Sequence, residues 1–101
     1  MNKRELTNRI VGSLHSLLVE AMEAKRARER LERHGIRKPS RSLGYMPKDR
    51  EWLAHFLTEK GITREQMQAT GLLTKAGQAK YAGKIVLYSK GKFAPYTEGN
   101  A

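Results

Sequence analysis

The stretch 84-KIVLYSKGKFAPYT-97 decides the fold class, because its composition favours strands in a chain that is otherwise helix-forming. Residues 84–89 and 92–97 are rich in β-branched and aromatic side chains, and Lys90-Gly91 between them is a two-residue connection of the hairpin type. The stretch therefore predicts a C-terminal β-hairpin. We expect the short tail after it, residues 98–101, to be disordered.

Helical signals precede the hairpin. Pro47 stands where a first helical turn would begin, and the apolar residues after it fall on one side of a helix: Trp52, Leu53, Phe56 and Leu57. Thr63 and Gln66 match a capping box, which predicts the start of another short helix. Residues 72–83 form either a fourth short helix, which we favour, or a polar loop. Residues 47–97 are thus predicted to be a small helical domain with a C-terminal β-hairpin.

The first third of the chain predicts a long helix from about Glu5 to His34. Gly35 followed by Ile36 is typical of a helix end, so residues 1–36 should form a helix that is amphipathic in its first half and basic in its second. This apolar face needs a partner surface, which is either the rest of the domain or an oligomerisation or docking partner. The face consists of Leu6, Ile10, Leu14, Leu17 and Ala21.

Residues 37–46 lack hydrophobic periodicity and carry three cations, so they are predicted to be a basic linker. Helix, tight turn, helix, a further short helix and a hairpin is the order of a winged helix-turn-helix domain, but many small α+β domains share it. The expected fold class is therefore mainly α (α+β). It comprises a long N-terminal helix, a small helical domain that is helix-turn-helix-like or of another α+β type, and the hairpin.

The charge of the chain points to a polyanionic partner. The 101 residues include 20 Lys and Arg against 10 Asp and Glu, for a formal net charge of +10. Cations at this density repel one another unless phosphate or another anion neutralises them. We therefore expect the protein to bind nucleic acid, and we favour DNA over RNA as the ligand. One basic region comprises Lys25, Arg26, Arg28, Arg30, Arg33, Arg37, Lys38 and Arg41. A second region, free of acids, comprises Lys75, Lys80, Lys84, Lys90 and Lys92.

Two alternatives to DNA binding stay open. RNA binding is favoured if Tyr88, Phe93 and Tyr96 are exposed, because such rings stack on unpaired bases. A non-enzymatic adaptor that binds an acidic protein of a larger complex would use the same cations. The main hypothesis is a small basic regulator or accessory factor in transcription or replication, with a homodimer or protein partner through the N-terminal helix.

Catalytic chemistry has little support in the sequence. There is no cysteine, and His15, His34 and His55 are spread along the chain without a second ligand at metal-binding spacing. Asp49 is the sole aspartate, whereas two-metal phosphodiester chemistry uses clustered carboxylates. We therefore expect no enzyme, metal, cofactor or small-molecule substrate. The apolar run 10–19 is too short and polar for a membrane span, and a cytoplasmic location is expected.

Overall fold

The computed structural model describes residues 3–49, 51–59, 61–74 and 80–97. In chain order the elements are α1 (Lys3–Glu20), a 3₁₀ turn (Met22–Ala24), α2 (Lys25–Arg33), β1 (Leu43–Tyr45), α3 (Trp52–Glu59), α4 (Arg64–Ala69), β2 (Ile85–Ser89) and β3 (Lys92–Pro95). The fold is mixed α+β, with a long helix at the N-terminus and a β-hairpin at the C-terminus. The predicted fold class is confirmed.

The hairpin of β2 and β3 forms as the composition predicts. Ser89 pairs with Lys92, and the two turn residues Lys90 and Gly91 both have positive φ, 52° and 85°. Two successive positive φ values are the geometry of a type I′ turn, whose twist matches that of the flanking strands. Glycine relieves the strain of this conformation at the second position.

The predicted basic linker, residues 37–46, ends in a strand that we did not expect. Strand β1 pairs antiparallel with β2, with Gly44 opposite Val86, so the sheet order is β1-β2-β3. All three residues of β1 are buried. A strand of three residues has too short a pattern to be recognised locally, and it is stabilised here by its position between the hairpin and α1.

The prediction that one helix runs on to about His34 is wrong, because the helix is broken at Ala21. Ala21 has an extended conformation, with ψ 136°, and the chain restarts through the 3₁₀ turn into α2. The guanidinium of Arg28 donates from the same nitrogen to the carbonyl oxygens of Leu18 and Ala21, each at 2.8 Å. Arg28 thus supplies a donor to the Leu18 carbonyl and a second donor to the Ala21 carbonyl, which also accepts from the Ala24 N–H at 3.1 Å, so the bend is stabilised by a residue of the second helix.

The apolar face of α1 is buried within this chain. A Cβ placed on Gly44 would lie 2.6 Å from the Cβ of Leu14, which shows how closely α1 approaches β1. Leu6, Ile10 and Leu14 are at most 6% exposed, and Leu17 and Ala21 are half-buried. Leu6, Ile10 and Leu14 therefore pack in the chain's own core and are not available to a second subunit, whereas Leu17 and Ala21 keep part of their surface exposed.

The helices between the strands are short and locally capped. Helix α3 begins at Trp52 rather than at Pro47, since Asp49 Oδ1 accepts from the backbone N–H of Glu51 at 3.0 Å in the turn before it. The capping box at α4 is confirmed in both directions, with Thr63 and Gln66 exchanging side-chain and backbone hydrogen bonds. The predicted fourth helix and the helix-turn-helix interpretation depend on residues 75–79, which lie outside the described residues. The predicted tail 98–101 also lies outside them.

Candidate nucleic-acid interface

A basic groove lies where α2 faces one end of the sheet. It encloses about 370 Å³, and its walls come from the 3₁₀ turn, α2, the end of β1 and the start of β2. It is lined by Glu23, Arg26, Ala27, Arg30, Arg33, Tyr45, Lys48, Gly83, Lys84 and Ile85. Five of these described residues are cations and one is an acid, so the groove has a strongly positive potential.

Helix α2 supplies three of the cations. Arg26, Arg30 and Arg33 are spaced i, i+4 and i+7 and so lie along one side of the helix. Leu31 on another side is 1% exposed and anchors α2 in the core. Glu29 and Glu32 lie at i+4 and i+7 from Lys25 on a neighbouring, mixed-charge stripe, and Glu29, at i+3 from Arg26, borders the arginine side. The arginine side of the helix is thus predominantly basic, with one acid at its border.

The sheet brings two lysines to the same place from distant parts of the sequence. Lys48 follows β1 and Lys84 precedes β2, and these strand ends lie side by side because the strands are antiparallel. The pairing continues past the strands, since Met46 N–H donates to the Lys84 carbonyl at 3.0 Å and Gly83 N–H to the Met46 carbonyl at 2.7 Å. Lys48 is a groove residue that the sequence analysis missed, because only the unrecognised strand β1 places it there.

Arg30 is held over an aromatic ring. Its guanidinium carbon lies 5.4 Å from the ring centroid of Tyr96, a cation–π distance. The ring is only 4% exposed, and its hydroxyl is hydrogen-bonded to Nδ1 of His34 at 2.9 Å. Tyr96 therefore orients Arg30 from the hairpin, and His34 has a structural partner in this arrangement.

Glu23, the acid of the groove, is fixed by two donors. Its Oε2 accepts from the backbone N–H of Lys48 at 3.2 Å, and the hydroxyl of Tyr45 also donates to this carboxylate. Burial, followed by the charge of Glu23 and this hydrogen bond, raises the pKa of Tyr45 to about 12. The hydroxyl therefore stays protonated, and its hydrogen bond connects the 3₁₀ turn to the end of β1. This bond holds the two walls of the groove at a fixed distance from each other.

Other predicted cations of the first basic region lie outside the groove. Arg28 is half-buried and caps α1, and Lys25 is exposed on the mixed-charge stripe of α2. Arg37 and Lys38 are exposed on the segment after α2, and Arg41 lies close to Gly12 of α1. The structure thus brings together only part of the predicted cluster.

The lysines of the second region are also divided. Lys84 and Lys90 flank β2 and are six residues apart, which is about 20 Å at the rise per residue of a β-strand. The exposed hairpin tip with Lys90 and Lys92 is therefore a separate positive site. Lys80 is exposed in the turn that leads to β2. Lys75 lies outside the described residues.

The three rings proposed for base stacking are not exposed. Phe93 and Tyr96 are each 4% exposed, and Tyr88 is half-buried with its ring centroid 5.0 Å from that of Phe93. The exposure that would have favoured RNA is absent from these residues. His15 is also occupied, since its Nδ1 donates to the Leu43 carbonyl at 3.0 Å.

The described part of the chain supplies neither a metal-type cluster nor a membrane span. No three His, Cys, Asp or Glu residues within it converge as a metal site would require. Within the same ranges, no helix combines the length and apolar character needed to cross a bilayer.

Comparison with known proteins gives a fold likeness. No family model and no curated protein sequence matches the chain. Among solved structures, the chain is similar to the RNA polymerase domain of Mycobacterium tuberculosis primase DnaG, with a TM-score of 0.62 and 20% identity over 86% of this chain and 30% of that one. The same domain in complex with a double-stranded DNA oligomer with a 6-nucleotide overhang matches with a TM-score of 0.61 and 19% identity, over 86% and 29%. The chain thus spans about a third of the length of these structures and shares the fold of that part.

Proposed function

We propose that this chain is a small, cytoplasmic DNA-binding accessory factor in replication, which holds the phosphates of a DNA strand in the basic groove. The observation that carries the proposal is the convergence of five cations from α2 and the adjoining ends of β1 and β2 on one concave surface. The fold is similar to that of a primase domain, whose structure has also been solved in complex with a DNA oligomer. This likeness favours a role in replication over one in transcription, and DNA over RNA as the ligand.

The dimensions of the arginine side suit a phosphate backbone. Arg26 and Arg33 are separated by seven residues of helix, which is about 10 Å, the axial rise of about three nucleotides of one strand in duplex DNA. Each of the three arginines can then meet its own phosphate, and the guanidinium fork binds phosphate oxygens in a bidentate manner. Lys48 and Lys84 extend the contact onto the sheet. These are groups that bind and position, and we propose that the protein acts by binding and not by catalysis.

The test is a comparison of salt-dependent affinity for duplex DNA, single-stranded DNA and RNA, with the wild type and the triple variant Arg26→Ala/Arg30→Ala/Arg33→Ala. Loss of three phosphate contacts should reduce the slope of log K against log salt by about 2 for a single strand or about 3 for a duplex. The matched control, Arg4→Ala/Arg37→Ala/Arg64→Ala, removes the same charge from exposed positions outside the groove and should change the slope little.

Equal losses in the two triple variants would mean that diffuse net charge, and not the groove, holds the polymer. Unchanged affinity in the groove variant would move the interface to the hairpin tip with Lys90 and Lys92. Saturable, salt-steep binding of RNA alone would replace DNA by RNA. Weak and equal binding of all three polymers would favour the adaptor for an acidic protein.

A further inference from the structure

The exposed side of α1, away from the basic groove, borders an open, basic depression. It encloses about 540 Å³ and is lined by Asn8, Arg9, Gly12, Ser13, Ser16 and Arg41. Two guanidinium groups, two hydroxyls and an amide face this space, and no described lining residue is an acid. Guanidinium forks supported by hydroxyl and amide donors are the groups that recognise phosphate oxygens.

Arg41 is placed in this depression by a pinned turn. The Leu43 N–H donates to the Ser40 carbonyl at 3.0 Å and closes the turn, while the Ser42 carbonyl accepts from a backbone N–H of β2 at 2.9 Å. The bond from His15 to the Leu43 carbonyl ties the same turn to α1. A Cβ on Gly12 would lie 3.4 Å from a guanidinium nitrogen of Arg41, so this side chain already reaches across to the helix.

A second depression adjoins the first and is largely apolar. It encloses about 370 Å³ and is lined by Ser13, Ser16, Leu17, Glu20, Ala21 and Phe56. Ser13 and Ser16 belong to both depressions and mark their common boundary. The Phe56 ring is held by stacking on Trp52, with ring centroids 4.6 Å apart and an interplanar angle of 12°. Apolar and aromatic walls of this kind accommodate the face of a base.

We propose that this side of α1 binds a nucleoside triphosphate. The phosphates lie between Arg9 and Arg41, the ribose lies beside the two shared serines, and the base packs on Phe56. Glu20, at the apolar end, accepts a hydrogen bond from an exocyclic amine of the base or from a ribose hydroxyl. An inorganic anion would occupy only the first depression, and an apolar ligand only the second. A nucleotide would occupy both, because it carries phosphates at one end and a base at the other.

The site is separate from the basic groove. The two surfaces share no lining residue, and Arg41 precedes β1 whereas Lys48 follows it. The proposal therefore does not depend on DNA binding in the groove. Either site can fail without affecting the other.

The first experiment measures ATP binding to the full chain by calorimetry. The variant Arg9→Ala/Arg41→Ala should bind ATP at least about ten-fold more weakly, because each charged hydrogen bond contributes more than a neutral one. Arg4→Ala/Arg64→Ala removes the same charge elsewhere and should leave ATP affinity unchanged, as should the triple arginine variant of the groove. Ser16→Asp, at an exposed position between the depressions, should abolish ATP binding by repulsion without disturbing the fold.

The second experiment tests the apolar half of the site with inorganic tripolyphosphate as the probe. ATP should bind at least about ten-fold more tightly than tripolyphosphate, since only ATP carries a base to pack on the ring. The fluorescence of Trp52, the sole tryptophan, should change with ATP and not with tripolyphosphate. Equal affinity for the two probes would overturn the nucleotide assignment, and so would ATP binding that survives in Arg9→Ala/Arg41→Ala or is displaced by single-stranded DNA.

Discussion

Gly44→Ala should weaken the fold more than any other change of one methyl group at a glycine of the described structure. The new Cβ would lie 2.6 Å from the Cβ of Leu14, 3.0 Å from its carbonyl carbon and 3.2 Å from its carbonyl oxygen. Two of these three atoms are backbone atoms, so a change of rotamer at Leu14 cannot relieve the contact. Helix α1 and strand β1 must move apart.

The size of the effect follows from that displacement. Ordinary contact of a Cβ begins near 3.4 Å, so α1 must shift by about 0.8 Å at its closest approach. A gap of this size removes about a quarter to a half of the dispersion attraction between the facing atoms along α1. Overpacking of a core costs about 1–3 kcal/mol, and we expect the upper part of this range because the backbone itself is displaced. For a chain of this length the melting temperature should fall by about 10–20 °C.

The assay is thermal and urea unfolding followed by circular dichroism, with Gly12→Ala as the matched control. At Gly12, also on α1, the new Cβ meets only the tip of Arg41 at 3.4 Å, and the flexible side chain can move. Alanine is the better helix former, so this variant should gain about 0.5–1 kcal/mol. A Gly44→Ala variant within about 0.5 kcal/mol of the wild type, the usual range of surface changes, would refute the close approach of α1 to β1.

Three other predictions concern the groove and the helix ends. Arg28→Ala should lower the free energy of unfolding by about 1–3 kcal/mol, because the Leu18 carbonyl loses this donor and the Ala21 carbonyl keeps only the Ala24 N–H. DNA affinity should change little, and the reverse pattern would place Arg28 in the interface. Thr63→Ala should cost about 1 kcal/mol in urea unfolding through loss of the capping box, and an unchanged midpoint would show that the cap is dispensable. In spectrophotometric titration Tyr45 should ionise at about pH 12, and Glu23→Gln should lower this pKa. Since the folded pKa lies above the unfolded value of 10.0, this contribution to stability is complete below pH 10 and is lost as the pH rises to 12.

Local chemistry made parts of the fold predictable from the sequence. The hairpin depends on Lys90-Gly91 and its flanking strands, and α4 depends on Thr63 and Gln66, all within a few residues of one another. The apolar period of α1 was predictable for the same reason, because it repeats within a single helix. Such signals do not depend on what the rest of the chain does.

The break at Ala21 was hidden because its cause lies elsewhere. The spacing of apolar residues continues through it in the sequence, while Arg28, ten residues after Leu18 and seven after Ala21, donates to both of their carbonyls. The apolar face of α1 had two physically equivalent partners, another subunit or the rest of the same domain. Only strand β1, with Gly44 against Leu14, decides for the sheet.

By itself, the sequence determined that the protein has a large surplus of positive charge, a C-terminal hairpin and amphipathic helices, because each of these is set by composition or by neighbours along the chain. The tertiary structure alone decided which cations act together. Lys48 and Lys84 join the arginines of α2 only because β1 and β2 pair antiparallel, whereas Lys90 and Lys92 are carried to the other end of the sheet. Strand pairing is a contact between distant residues, and no local pattern records which partner a short strand will find.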